Sequence, residues 1–330
     1  MKFWLQVLAW LALLFGGLEL ASRRWLGHAP REQYDPQFDR LTAPDQVIVW
    51  ADEGWSRSRT NELGHADAPM PATPPPDGIL VIGDSYTEAR QVSRDERFTD
   101  RVGRALGRRV YNVGHTGWSP LNALGFLQSP ELAKFAPKTV VVQISGNDLG
   151  DMVTKSRPHL VGDAAPYTVQ LPPREKKGMA ARLNQLRLSV SRSAVAGNLV
   201  VAALKLFQGG KGEGDAGAVG CNAPDPRAIA ALPWLFDSLH RAHPDVRLLY
   251  LPQIDYHHGC VDECAASRHA FELAAATAQL PLIDTTAPIC ARFAETHQPL
   301  NGFWNTVPGT GHYNAEGHEV IAGVLAAALR

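Results

Sequence analysis

A surplus of charge of either sign is missing from this chain: 32 basic residues face 33 acidic ones, for a formal net charge of −1. No lysine- or arginine-rich stripe appears, so nucleic-acid binding has no electrostatic support. Internal repeats are missing too, and 330 residues suit one large α/β domain with appendages or two small domains. Cysteine is scarce. Cys221, Cys260, Cys264 and Cys290 are the full complement, all in the second half. The run Gly209-Gly210-Lys211-Gly212-Glu213-Gly214 lacks a Ser or Thr after its lysine and a strand-to-helix setting, which excludes a phosphate loop. Apolar material is not lacking: a hydrophobic content of 45% is ample for a core.

The N-terminus concentrates that material. Phe3 to Ala21 is interrupted only by Gln6 and Glu19 among polar side chains. As a helix at about 1.5 Å per residue it spans ~28 Å, close to the hydrocarbon thickness of a bilayer. The alternative is a cleaved signal peptide, but Glu19-Leu20-Ala21-Ser22-Arg23 offers no clear small-x-small cleavage site. Residues 1–25 are therefore expected to form an uncleaved membrane anchor or signal-anchor. Lys2 before the helix and Arg23, Arg24 and Arg31 after it leave the positive-inside count equivocal. The even number of cysteines favours an oxidising compartment, hence a domain on the periplasmic or extracellular side.

Residues 26–77 read as a juxtamembrane segment, with a short strand at Gln46 to Trp50 and a stiff linker at Pro69 to Pro76. From Gly78 the texture changes. Ile79–Ile82, Arg109–Val113, Thr139–Ile144, Arg247–Leu251 and Leu282–Asp284 read as strands. Phe98–Leu106, Pro120–Phe135, Ala228–Ala242 (starting as late as Pro233), Ser267–Ala278 and Glu316–Leu329 read as helices. This alternation implies a three-layer α/β/α fold around a flavodoxin-like parallel sheet of about five strands, spanning residues 78–330. Between about 150 and 222 the alternation stops. An insertion is expected there, with a helical stretch around Ala180 to Phe207 and an amphipathic lid or interface helix at Ala194 to Leu206.

In an open parallel sheet, functional groups collect at the carboxyl ends of the strands. Those ends deliver Asp84 and Ser85, then Asn112, Gly114 and Gly117, then Gly146, Asn147 and Asp148. A loop before the last helix delivers His312. Acyl transfer needs a nucleophile, a base and donors for an oxyanion. Ser85 fits the first role and His312 the second. The backbone N–H groups of Ser85 and Gly117, with the Asn147 amide, fit the third. Each piece alone has a bland reading: a capped turn, loop chemistry, a structural histidine. The four together, in this order, are far more specific.

Gly83-Asp84-Ser85-Tyr86-Thr87-Glu88 resembles block I of the SGNH (GDSL-type) hydrolases. Asn112-Val113-Gly114-His115-Thr116-Gly117 resembles their glycine block, and Gly146-Asn147-Asp148 their Gly-x-Asn-Asp block. His312-Tyr313-Asn314-Ala315-Glu316-Gly317-His318 resembles the histidine block with its terminal helix. The resemblance covers about residues 78–330. It implies the SGNH fold and ester hydrolysis or O-acyl transfer without a metal or other cofactor. The anchor is similar to that of membrane-tethered envelope members.

One expected residue is missing. The family usually carries an aspartate two or three residues before the histidine, where this chain has Thr310 and Gly309. A Ser85–His312 dyad or a substituted acid is expected instead, with Asp255 and Asp284, both near strand ends, as the candidates. The literal string Asp255-Tyr256-His257-His258 is a weaker choice for the histidine block, because a helix and a strand still follow it. His257, His258, Cys260 and Cys264 form a loose zinc pattern, for which a disulfide-pinned loop is the preferred reading. The expected function is a membrane-anchored serine esterase or O-acyltransferase acting on an ester, in particular O-acetyl groups of an envelope polysaccharide. A non-catalytic glycan-binding scaffold and a lipid-ester hydrolase are the alternatives.

Overall fold

The computed structural model describes residues 2–25, 30–35, 39–162, 164–172 and 223–330, with 193, 195, 196 and 199. The expected helix around Ala180 to Phe207, the glycine run 209–214 and Cys221 lie outside the described residues, those four positions apart. Helix α1 (Lys2–Trp25) begins the chain. It is largely exposed, with a mean hydropathy of 1.7 over its most apolar window, and is long and apolar enough to cross a membrane. Two antiparallel hairpins follow: β1 (Glu32–Asp35) with β2 (Asp39–Thr42), and β3 (Val47–Trp50) with β4 (Ser56–Arg59).

The main body runs β5 (Ile79–Gly83), α2 (Ser85–Glu88), α3 (Phe98–Leu106), β6 (Val110–Gly114), α4 (Pro120–Leu127), β7 (Thr139–Ser145) and α5 (Asp148–Asp151). A small hairpin, β8 (His159–Val161) with β9 (Thr168–Gln170), comes next. Then follow α6 (Pro226–Ala242), β10 (Val246–Leu251), a two-residue ribbon of β11 (Ile254–Asp255) and β12 (Val261–Asp262), α7 (Ala265–Thr277), β13 (Leu282–Asp284), α8 (Thr286–Thr296) and α9 (Ala315–Ala328).

Five strands form one parallel sheet in the order β13-β10-β7-β5-β6. Numbered along the chain this is 2-1-3-4-5, the flavodoxin-like order, whose direction reverses between the first and third strands. Every residue of β5, β6 and β7 is buried, which is why they read as unbroken apolar runs. One core layer joins Leu80, Ile82, Val140 and Val142 to α4, α6 and α7 through Leu124, Leu235 and Phe271. The other joins Ile79, Val81, Val141 and Leu249 to α3, α8 and α9 through Val102, Ile289 and Ile321.

Element boundaries differ from the sequence reading in a few places. The helix expected over Pro120–Phe135 stops at Leu127, and Pro130 to Lys134 forms a separate 3₁₀ turn. Pro130 lacks the N–H that an uninterrupted helix would use there. Helix α6 starts at Pro226 and carries Pro233 in its interior, so Pro233 is not its start. Helix α7 is capped at Cys264, not Ser267. The region upstream of Gly78 is packed from residue 41 on. Ile48 and Val49 are buried, the Asp67 carboxylate pairs with Arg109 at 2.7 Å, and the Arg97 guanidinium donates to the Ala66 carbonyl at 2.5 Å. Cys260 and Cys290 form a disulfide with Cα atoms 5.6 Å apart, and Cys264 is disulfide-bonded as well.

Candidate active site

Strand β5 ends at Gly83, and the chain turns directly into α2. The Asp84 carboxylate caps that helix by accepting from Tyr86 N at 2.8 Å. This turn lifts Ser85 out of the buried strand to the sheet's carboxyl edge, beside the point where strand order reverses. His312 arrives from the loop before α9. That loop is fastened by Gly302 N donating to the His312 carbonyl at 3.0 Å and by the Asn301 amide donating to the Gly311 carbonyl at 3.0 Å. The Tyr86 ring packs 5.0 Å from the imidazole.

Ser85 Oγ and His312 Nε2 lie 2.8 Å apart, and His312 Nδ1 lies 2.5 Å from Glu53 Oε2. The carboxylate on His312 is thus Glu53, not Asp255 or Asp284. Asp255 is engaged by His258 and by the backbone N–H groups of His257 and His258. Asp284 accepts from Thr286 and faces Arg268 at 3.7 Å. Because a carboxylate only accepts, Nδ1 carries the imidazole proton and Nε2 is left to accept from the serine hydroxyl.

Glu53 sits in the turn of the β3–β4 hairpin, 259 residues from His312 in sequence. Asn305, from the same loop as His312, grips this turn. Its amide oxygen accepts from Gly54 N at 2.6 Å, and its nitrogen donates to the Ala51 carbonyl at 2.9 Å. Burial pushes the Glu53 carboxyl up, but the hydrogen bond and charge of His312, with a contact from Gln91, outweigh it and leave the pKa lowered. Glu53 is therefore held as the anion.

Gly117 and Asn147, the expected oxyanion donors besides Ser85, lie in the loops that follow β6 and β7, the two strands flanking β5. Gly117 adopts φ +84°, a left-handed conformation that glycine supplies without steric cost. The segment leading to it is fixed by buried Glu88, which accepts from Thr116 N at 2.9 Å and Thr116 Oγ1 at 2.7 Å and pairs with Arg90 at 2.6 Å. Burial raises the Glu88 pKa, but the Arg90 charge and the other partners win and lower it. Arg90 Nη2 also donates to Thr42 Oγ1 at 3.1 Å, and Ser56 of β4 donates to the Arg90 carbonyl. One buried ion pair thus links the turn bearing Ser85, the Gly117 loop and the hairpin bearing Glu53. Gly114 lets these parts meet: a Cβ there would come within 2.6 Å of the Thr87 carbonyl carbon.

Asn147 follows β7. Its amide oxygen accepts from Ser145 Oγ at 2.8 Å and from Gln253 Nε2 at 3.0 Å. The N–H₂ end contacts the Asp151 carboxylate with one hydrogen, which leaves its second N–H as the donor for a substrate. Ser145 Oγ also lies 3.4 Å from both Asp84 and Asp148. Burial pushes the Asp84 carboxyl up to about 6, and burial together with the Asp84 charge pushes Asp148 up well above its ordinary value. The arrangement offers a hydroxyl and a base oriented by an anion, which is equipment for acyl transfer.

Sequence reasoning missed Glu53. Its signal was weak: an Asp52-Glu53-Gly54 turn after one short strand, in a segment read as juxtamembrane.

A family model and several solved structures are similar to this chain. A model of the GDSL-like lipase/acylhydrolase family matches residues 81–320. Among solved structures, a lipase/acylhydrolase from Enterococcus faecalis shares 14% identity, covers 76% of this chain and 94% of its own, and has a TM-score of 0.42. A phospholipase A1 from Streptomyces albidoflavus NA297 shares 14%, with 77% and 99% covered and a TM-score of 0.40. An acetyl xylan esterase, AlAXEase, shares 12%, with 76% and 98% covered and a TM-score of 0.42. No curated relative matches. The chain belongs to the GDSL-like lipase/acylhydrolase family, a family of ester hydrolases.

Proposed function

We propose that this protein is a membrane-anchored serine ester hydrolase or O-acyltransferase, and that Ser85, His312 and Glu53 are its nucleophile, general base and orienting acid. The observation that carries this reading is the continuous hydrogen-bond chain Ser85 Oγ–His312 Nε2 and His312 Nδ1–Glu53 Oε2. In the proposed reaction Ser85 Oγ attacks the ester carbonyl carbon while its proton passes to His312 Nε2. The carbonyl electron pair moves onto oxygen, which the N–H groups of Ser85 and Gly117 and the Asn147 amide receive. On collapse the carbon–oxygen bond to the alcohol breaks, and His312 returns the proton to the departing oxygen. Water or an acceptor hydroxyl then takes the acyl group by the same steps reversed.

The proposed substrate is an O-acetylated polysaccharide of the cell envelope. Support comes from a cleft of about 490 Å³ beside Glu53, lined by Trp55, Phe303, Trp304, Gln91, Gln298 and Asn314. Trp304 is 82% exposed, and an indole face open to water suits the C–H face of a sugar ring. Helix α1 supports anchoring at residues 1–25, and the disulfides support a periplasmic or extracellular domain over residues 78–330, completed by the hairpin that bears Glu53.

Full-length protein in detergent micelles is expected to hydrolyse p-nitrophenyl acetate. It should release acetate from an acetylated polysaccharide faster than fatty acid from a long-chain ester. A preference for the long-chain ester would favour the lipid-hydrolase reading. Glycan binding without any acyl turnover would favour the scaffold.

A further inference from the structure

The surroundings of the oxyanion donors pose an electrostatic problem. Asp84, Asp148 and Asp151 all lie close to one another there, and burial raises the pKa of each. An oxyanion forming between Gly117 and Asn147 develops next to these carboxylates, and each that is ionised opposes it. The neutral donors of the hole face that repulsion without a charge of their own.

Arg157 stands at this place. Its guanidinium packs on Gly117: a Cβ built on that glycine would lie 3.8 Å from Arg157 Cζ and 3.9 Å from Nη2. Nη1 is held by the Asp151 carboxylate, and the backbone is fixed by Arg157 N donating to the Thr154 carbonyl at 3.0 Å. Among the described residues, Nε and Nη2 have no hydrogen-bond partner. The side chain is 32% exposed, so it borders the open site and is not sealed within the fold. Asp151 engages one end of the fork and aims the rest.

We propose that Arg157 is a charged member of the oxyanion hole, directing its spare N–H groups at the oxygen that becomes negative when Ser85 attacks. This rests on the functional reading above and deepens it. The hole then holds three neutral donors and one cation. Arg157 keeps its protons throughout, since an arginine does not deprotonate in this range. Its charge acts on the transition state more than on the neutral ester, so its effect falls on kcat.

The test uses the full-length protein in detergent micelles with p-nitrophenyl acetate. Arg157→Gln is expected to lower kcat by roughly 10–100-fold with KM within about threefold. Arg157→Ala should recover activity on addition of guanidinium at tens of millimolar, but not with sodium chloride at equal ionic strength. Asp151→Asn, which keeps an acceptor oxygen and the side-chain size, should lower kcat several-fold less than Arg157→Gln does. Fluorophosphonate labelling of Ser85, which also builds charge on an oxygen in the hole, should slow in Arg157→Gln in parallel. An equal loss in Asp151→Asn with no guanidinium rescue would mean that the ion pair merely holds the turn, and would overturn the proposal. Wild-type protein that neither turns over the ester nor labels at Ser85 would sink the functional reading first, and this inference with it.

Discussion

Replacing Glu53 by glutamine keeps the size of the side chain and an oxygen able to accept from His312 Nδ1, but removes the charge. The cost is set by the imidazolium that forms as Ser85 attacks. Its charge centre would lie about 4 Å from that of the carboxylate. At an effective dielectric of about 20, two such charges attract by roughly 4 kcal/mol, or ~10³ in rate. The two side chains are 22% and 24% exposed, so solvent screens part of this. Glu53→Gln is therefore expected to lower kcat on p-nitrophenyl acetate by about 10²–10³, with little change in KM. Asp255→Asn and Asp284→Asn should stay within about twofold of wild type. Steady-state kinetics on the purified full-length protein decides the matter. A Glu53→Gln enzyme within threefold of wild type would refute the reasoning, and more so if Asp255→Asn or Asp284→Asn proved the damaging change.

Two further outcomes follow from packing and burial. Gly114→Ala would press its methyl group against Thr87 and Glu88 backbone atoms at 2.6 and 2.8 Å, so it should destabilise by about 3 kcal/mol and lower the melting temperature by roughly 6–12 °C; an unchanged melt would contradict the close approach. His318 is buried, accepts from Phe98 N at 3.3 Å, and is pushed by burial down to about 3. The unfolded chain takes up that proton near pH 6.5 and the folded one does not, so the stability from His318 is full above pH 6.5 and is lost as pH falls toward 3. The difference in melting temperature between wild type and His318→Gln should therefore shrink from pH 7.5 to pH 5, and a gap that stays constant or widens would exclude this linkage.

The sheet was legible because its strands are covered on both faces. Val140, Val141 and Val142 can be read only as a buried strand or a buried helix segment, and β-branching with flanking turns settles the choice. Ser85, Gly117 and Asn147 were legible because each sits just past such a strand, where polar residues interrupt an apolar run. Helix α8 was not, since it follows β13 after a single residue and carries Pro288 in its first turn. Glu53 was illegible for a different reason. Its meaning depends on a contact made across 259 residues, from a hairpin whose second strand, Ser56–Arg59, has no apolar alternation to announce it. Pairing with β3, Ser56 on Arg90, and Asn305 on the turn decide where Glu53 goes, and these are tertiary facts.

The most direct test of the central claim is covalent. Full-length protein is treated with a fluorophosphonate, digested and analysed by mass spectrometry. The account predicts one modified residue, Ser85, with labelling abolished in Ser85→Ala, strongly slowed in His312→Ala and slowed in Glu53→Gln. Labelling at another serine, or a Ser85→Ala protein that still cleaves p-nitrophenyl acetate at the wild-type rate, would contradict it.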